Sequence, residues 1–138
     1  MKNLLFILCM FVFVSCSCSK EEPKFTQTDI IDLGRKIEPQ LEEVQFDLNN
    51  TSDPRRVVCN KYGPGCVPGT GKRLKIRMVE LIVIEFENEE AAKLEAARTN
   101  QWYSRNWLFD DVTNEPVLID FVKKAYGAQQ GQSQELNP

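Results

Sequence analysis

The chain has 138 residues, of which 42% are hydrophobic and 27% charged, a composition typical of one globular domain rather than of a disordered or coiled-coil protein. Its formal net charge is −3, which argues against a nucleic-acid partner because phosphate binding needs clustered lysine and arginine. It contains no histidine, so Ser–His and Cys–His catalytic pairs and histidine metal sites are excluded.

The N-terminal region has the three parts of a secretory signal peptide. Lys2 supplies a positive charge, residues 4–14 form an apolar run, and small residues and cysteine follow. A run of 11 residues is too short to cross a bilayer, which needs about 20. A buried N-terminal helix is the alternative, but residues 4–8 are apolar on all sides and offer no polar face to solvent.

The end of this run resembles the lipobox of bacterial lipoproteins. The segment FVSC, residues 13–16, places a large apolar residue at −3 and a small one at −1 before the cysteine. The resemblance covers only the N-terminal segment, and it implies that residues 1–15 are removed and that Cys16 carries a diacylglycerol and an N-acyl chain such as palmitate. Cys18 fits less well as the lipid carrier, and it is a bystander, a second acyl site or an intermolecular link.

The lipoprotein resemblance also implies a location in the bacterial cell envelope. In diderm bacteria, aspartate after the lipidated cysteine tends to retain a lipoprotein in the inner membrane. Ser17 stands at that position, so we expect the outer membrane, on its periplasmic face. In a host with a single membrane, we expect the outer leaflet of that membrane.

Composition divides the remainder of the chain into three parts. Residues 16–26 are small and charged and contain Pro23, so they are predicted to be a flexible tether. Residues 27–127 carry periodic apolar patterns and form one predicted domain. Residues 128–138 are polar, rich in glutamine and aperiodic, and are predicted to be a disordered tail.

A helix is predicted at the start of the domain. Thr26 and Asp29 have the spacing of a capping box. Pro39 removes a helix hydrogen bond, so we expect a break near Glu38. The end of the segment, residues 44–48, also alternates as a strand would. The helical face recurs at spacings of three and four through Ile30, Leu33, Ile37, Leu41 and Val44.

A long loop follows, rich in glycine and proline. Residues 49–54 predict a turn, residues 55–59 a short strand, and residues 61–71 a Gly/Pro loop. Cys59 and Cys66 flank part of this loop, and in an oxidising compartment they predict a disulfide. Their spacing is not that of a thioredoxin motif, and two thiolates without histidine do not complete a zinc site.

The remaining elements alternate between strands and helices. Residues 73–86 predict a long central strand with a bend near Val79 and Glu80, and Asn88 caps the helix that follows. Residues 102–112 predict another strand, and a last helix starts at Pro116 and stops at Gly127. The order α-β-β-α-β-α predicts an α+β fold, with helices on a small, largely antiparallel sheet of about three strands.

The strongest candidate binding residues lie in the segment WYSRNWLFDD, residues 102–111. On a strand, its large apolar side chains point to both faces, and a sheet of three strands cannot bury all of them. Some are therefore expected to be exposed, and tryptophan, tyrosine and arginine dominate binding hot spots. The alternative is that they are core residues beneath two helices. The candidates are Trp102, Tyr103, Arg105 and Trp107.

Two other motifs are assigned structural roles. The segment GTGKR, residues 69–73, lacks the spacing of a phosphate-binding loop and precedes a strand rather than a helix. The acids near residues 110–120 do not match a calcium loop, and nothing shows that two of them share a glycosidase cleft. Asp111 and Asn114 are predicted to cap the turn into the last helix. We therefore expect no catalytic residue, no metal and no cofactor.

Two functions remain open on the sequence alone. The first is a lipid-anchored envelope protein that docks a partner protein through the aromatic segment or the Gly/Pro loop, and is not an enzyme. The second is a module that binds a small ligand or a cell-wall glycan, with Trp102, Tyr103 or Trp107 stacked on a sugar ring. A flat apolar patch favours the first, and a concave cleft pairing an exposed tryptophan with Arg105 or Asp110 favours the second.

Overall fold

The computed structural model describes residues 22–133, so the predicted signal peptide, Cys16 and Cys18 lie outside the described residues. Within that range the fold is α+β, as predicted. The helices are α1 (Gln27–Ile37), α2 (Glu89–Thr99) and α3 (Pro116–Tyr126). The strands are β1 (Glu42–Glu43), β2 (Lys72–Ile76), β3 (Val79–Glu85), β4 (Trp102–Ser104), β5 (Trp107–Asp110) and β6 (Gln129–Gln130).

Within residues 22–133 the sheet has six antiparallel strands in the order β1-β2-β3-β5-β4-β6, so the prediction of about three strands is wrong. Two segments predicted as single strands are hairpins. One reverses at Arg77 and Met78, just before the predicted bend, and the other at Arg105 and Asn106. Arg77 and Arg105 have φ of 57° and 50°, a conformation that arginine does not signal. Neither turn contains a glycine, so the sequence gives no glycine turn signal at either position.

The domain extends past residue 127, the residue at which the sequence predicted that it would end. Gln129 and Gln130 pair with β4, and the Gly131 amide donates to the Gln101 carbonyl oxygen at 2.8 Å. Ala128 is buried beside them. Backbone hydrogen bonds hold this segment to the sheet, so its polar composition does not make residues 128–131 a disordered tail.

The helix termini follow the sequence rules closely. Thr26 and Asp29 form the predicted capping box of α1, which ends at Ile37 before the proline. The Asn88 side chain accepts from the Ala91 amide at the start of α2. Gly127, with φ of 63°, ends α3 as predicted. The N-cap of α3 is Glu115, however, and neither Asp111 nor Asn114 caps it.

Helices cover both faces of the sheet. Helices α1 and α3 pack on one face, where Ile30, Leu118 and Phe121 meet the sheet. Helix α2 and the loop before β2 cover the other face, where Ala92 and Ala96 lie against the strands. Strand residues on the first face are Leu74, Ile76, Leu81, Val83, Trp102, Trp107 and Phe109, and those on the second are Ile84, Phe86, Tyr103 and Leu108.

The predicted disulfide between Cys59 and Cys66 is present, with 5.7 Å between its Cα atoms. It closes the start of the Gly/Pro loop against the second face of the sheet, where both cysteines and Tyr62 pack on the core. Residues 55–58 form no strand, contrary to prediction, and a 3-10 turn, Cys59–Lys61, begins at the first cysteine. Cys66 instead makes an isolated antiparallel bridge with Phe86 at the end of β3.

Removing the disulfide by the double substitution Cys59→Ser, Cys66→Ser is expected to destabilise the domain by about 2.5 kcal/mol, the chain-entropy value for so small a ring. A domain of ordinary stability, about 5–15 kcal/mol, survives that loss folded. Urea denaturation measures the difference, and mass spectrometry of the native protein with and without reductant should show a change of about two protons. Two freely alkylatable thiols in the native protein would contradict the pairing.

Candidate functional site

The three aromatic side chains proposed as a binding face are buried. Trp102 is 8% exposed, Tyr103 7% and Trp107 0%. The expectation that some of them reach solvent is therefore corrected in favour of the alternative, a core role. The reason is architectural: a six-stranded sheet covered by helices on both faces can bury large side chains on both sides of β4 and β5.

The aromatic candidates also lie on opposite faces of the sheet, because the turn between β4 and β5 changes the alternation expected for a single strand. Trp102 and Trp107 lie on the face covered by α1 and α3, and Tyr103 lies on the face covered by α2. Tyr103 and Arg105 line a common polar cavity of about 290 Å³ at the turn. The four candidate residues therefore form no single surface.

Arg105, which is partly exposed, binds the N-terminal segment of its own chain. Its guanidinium carbon lies 4.1 Å from the centre of the Phe25 ring. One of its nitrogens donates to the carbonyl oxygen of Pro23 at 2.9 Å, and another to the Glu22 carboxylate at 3.2 Å. Arg105, predicted from the sequence to contact a ligand, therefore contacts residues 22–25 of its own chain.

Asn106 and Trp107 hold the same segment from inside the sheet. The Phe25 amide donates to Asn106 Oδ1 at 2.9 Å, and Trp107 Nε1 donates to the Phe25 carbonyl oxygen at 2.9 Å. Asn106 is 1% exposed, and its Nδ2 also donates to Glu85 Oε1 at 3.2 Å. We call Arg105, Asn106 and Trp107, together with residues 22–25, the N-terminal clamp. Because of the clamp, the predicted tether of residues 16–26 is held to the domain from residue 22 onward.

A second feature is a groove between α2 and the Gly/Pro loop, which we call the α2 groove. Its volume is about 440 Å³. The loop contributes one wall and the exposed side of the helix the other. The lining residues are Pro64, Gly65, Glu87, Asn88, Glu90, Ala91, Leu94, Glu95 and Arg98.

Two glycines let the loop approach the helix closely enough to form this groove. A Cβ on Gly65 would lie 2.8 Å from the Ala91 Cβ, and a Cβ on Gly63 would lie 2.6 Å from Glu95 Oε2. Gly65 also has φ of 88°, which favours glycine. Its carbonyl oxygen accepts from the Glu87 amide at 2.8 Å. With the disulfide at Cys66, these contacts hold the loop wall in place before anything binds.

The groove combines an apolar wall with an acidic rim. Leu94 is 59% exposed there although it is a large apolar residue. Glu95, 3% exposed, is paired with Arg98 through contacts of 2.8 and 2.5 Å. The hydrogen bonds and charge of Glu95 raise the pKa of Arg98, so the Arg98 guanidinium stays protonated. Glu87 and Glu90 add two further acids without a salt bridge in the described chain, so the rim is net negative.

The acidic turn after β5 has a structural role in the described chain. The Tyr62 hydroxyl donates to Asp110 Oδ2 at 2.9 Å, which ties the disulfide loop to the end of the sheet. Burial and the neighbouring Asp110 raise the pKa of Tyr62, so its proton stays in that hydrogen bond. Burial, and then Asp110, also raise the pKa of Asp111. Residues 22–133 contain no cluster of three or more acidic or cysteine side chains arranged to hold a metal ion.

The described part of the chain has no helix of the length and apolarity needed to span a bilayer. Comparison of the chain with protein-family models, with curated proteins and with solved structures gives no match.

Proposed function

We propose that this protein is a lipid-anchored bacterial envelope protein that docks a partner protein in the α2 groove, and that it is not an enzyme. The observation that carries the docking role is the preformed groove, with the exposed Leu94 on one wall and a disulfide-braced loop on the other. The lipobox at residues 13–16 supports the anchor at Cys16 and a location on the periplasmic face of the outer membrane.

Partner docking is favoured over glycan binding by the burial of the aromatic side chains. Stacking on a sugar ring needs a tryptophan or tyrosine face open to solvent, and Trp102, Tyr103 and Trp107 are each at most 8% exposed. A concave cleft with an exposed tryptophan was the feature that favoured a glycan. Leu94, an apolar residue on a helix with acids beside it, instead suits contact with a partner's apolar side chain that has a lysine or arginine next to it.

Replacing Leu94 with glutamine is expected to weaken partner docking at least about tenfold, because a hot-spot contact at the centre of an interface is worth about 2 kcal/mol or more. Glutamine keeps the length and helix propensity of leucine, so the melting temperature should stay the same. Photo-crosslinking from a benzoylphenylalanine at Lys93, which is exposed beside the groove and does not line it, measures docking.

Leu48→Gln is the matched control for this test. Leu48 is 74% exposed and is not among the residues that line the groove. It should leave crosslinking at the wild-type level. Equal crosslinking in wild type and Leu94→Gln would remove the groove as the docking site.

Replacing Cys16 with alanine is expected to abolish fatty-acid labelling of the protein and leave it uncleaved or soluble, because the lipobox ends at this cysteine. Cys18→Ala is the control and should keep the full label. Metabolic labelling with a fatty acid, followed by membrane fractionation, measures both. Label retained in Cys16→Ala and lost in Cys18→Ala would show that the lipid is on the other cysteine, and wild-type protein found mainly with inner-membrane markers would contradict the proposed location.

A further inference from the structure

The N-terminal clamp decides which end of the domain lies next to the proposed anchor. Strand β3 runs from the β2–β3 turn toward the β4–β5 turn, since Ile82 pairs with Asp110 and Glu85 with Trp107. The two turns therefore lie at opposite ends of the sheet. Glu22 is held at the β4–β5 turn by Arg105, so the chain leaves the domain at that end.

The distance from this exit point to the anchor is short. Glu22 follows Cys16 by six positions, and a fully extended chain of six residue steps spans at most about 22 Å. The β4–β5 end of the domain is consequently confined near the bilayer. The β2–β3 turn, where Met78 is 88% exposed, points away from it.

The α2 groove begins beside the clamp. The Lys24 ammonium donates to the Glu87 carbonyl oxygen at the start of the groove. Asn88 lines both the groove and a small polar cavity that also contacts Glu22, Lys24 and Arg105. From there the groove follows α2, whose 11 residues extend for about 16 Å. The entire groove thus lies within about 40 Å of the bilayer surface.

From these positions we infer that the α2 groove takes a segment of a second membrane-bound protein, carrying an apolar side chain flanked by lysine or arginine. This inference rests on the proposed anchor and docking site. Glu87 and Glu90 set the charge of the segment, and Leu94 with Ala91 sets its apolar contact. The clamp sets where the partner must be, because a domain held by so short a link presents the groove only close to the membrane. Confinement of both proteins to one membrane then raises their effective concentration for each other.

The orientation is tested with the full lipidated protein in nanodiscs whose lipid headgroups carry a gadolinium chelate. Amide relaxation enhancement should be strongest at residues 105–106 and 87–89 and weakest at residues 77–78. Arg105→Asn, which tolerates the same backbone conformation but loses the contacts to residues 22–25, should flatten the gradient. A flat or reversed gradient in the unmodified protein would overturn the inference.

The nature of the partner is tested by photo-crosslinking from a benzoylphenylalanine at Lys93, which is exposed beside the groove and does not line it, in two forms of the protein. One form is lipidated, and the other is secreted into the same compartment with Ser17 at its N-terminus and no lipid. A membrane-bound partner predicts at least a tenfold fall in crosslink yield without the lipid, and a product that fractionates with membranes. The double substitution Glu87→Lys, Glu90→Lys should also reduce the yield from the lipidated form at least tenfold.

The outcomes separate this inference from the proposed function. Equal yield with and without the lipid, or crosslinking to a protein free in the compartment, would overturn the membrane-bound partner and leave the docking role of the groove intact. A wild-type crosslink yield in the charge-reversal variant would overturn the inference that the partner segment is basic. No crosslink from position 93 in either form would overturn both the inference and the docking site, whatever the nanodisc result.

Discussion

Replacing Trp107 with alanine is expected to lower the free energy of unfolding by about 3–5 kcal/mol, the usual loss when a buried tryptophan is truncated. Trp107 is 0% exposed, and it packs between the sheet and helices α1 and α3. Its indole N–H also donates to the Phe25 carbonyl oxygen. The substitution therefore opens a cavity and loosens the N-terminal clamp together. Urea denaturation followed by far-ultraviolet circular dichroism measures the loss.

Trp107→Phe separates the two contributions. Phenylalanine fills most of the volume but has no indole N–H, so we expect a loss near that of one hydrogen bond, about 1 kcal/mol, with a further part from the smaller ring. If Trp107 belonged to a binding face instead, Trp107→Ala would leave the unfolding free energy within experimental error. That result would contradict the buried position.

Replacing Gly131 with alanine is expected to detach the C-terminal segment from the sheet. A Cβ at this position would lie 2.2 Å from the carbonyl carbon of Ala96 and 2.2 Å from the amide nitrogen of Ala97. Both are backbone atoms of α2 and cannot move aside as a flexible side chain would. The strain breaks the hydrogen bond between Gly131 and Gln101, and overpacking of this kind typically costs about 1–3 kcal/mol. Amide hydrogen exchange should show faster exchange along β6 and its partner β4.

Gly69→Ala is the matched control for this prediction. Gly69 has φ of 79°, but nothing lies within 4 Å of a Cβ built there. The substitution carries only a conformational cost and should leave exchange along β6 unchanged. If Gly131→Ala has the same exchange pattern as the wild type, the segment after α3 does not lie on α2.

The helices were predictable because their signals are local. Thr26 with Asp29, Asn88 and Gly127 satisfy backbone groups within one turn of themselves, and Pro116 lacks the N–H that the first helical position would leave unpaired. The spacing in the sequence therefore carries the information. The disulfide was predictable for the same reason, from two cysteines seven positions apart.

The strand count was not predictable from the same kind of signal. The hairpin turns place Arg77 and Arg105 at positive φ, and the sequence rules reserve that conformation for glycine and asparagine. The edge strands β1 and β6 have two residues each and pair through backbone groups that all sequences share. Pairing of that length leaves no periodicity to detect.

The candidate site was only partly predictable, because a strand pattern does not show what covers it. The aromatic residues of β4 and β5 are large and apolar on both faces, and only the helix on each side decides that they are core. Phe25, an isolated aromatic residue in a charged segment, was an available signal for the clamp that holds it. For the groove, the signals were Gly63 and Gly65 beside Cys66, and Leu94 on the exposed side of α2.

The short edge strands have a consequence for a protein that is present at high local concentration. An open sheet exposes unpaired N–H and C=O groups along its edges, and a long edge can template the addition of another chain and so start a fibre. Here both edges are two-residue strands, and β1 carries two glutamates. So few unpaired groups give an incoming strand little to align with, and the glutamates repel a second copy of the same edge. Copies of this domain can therefore reach high density without polymerising through their sheets.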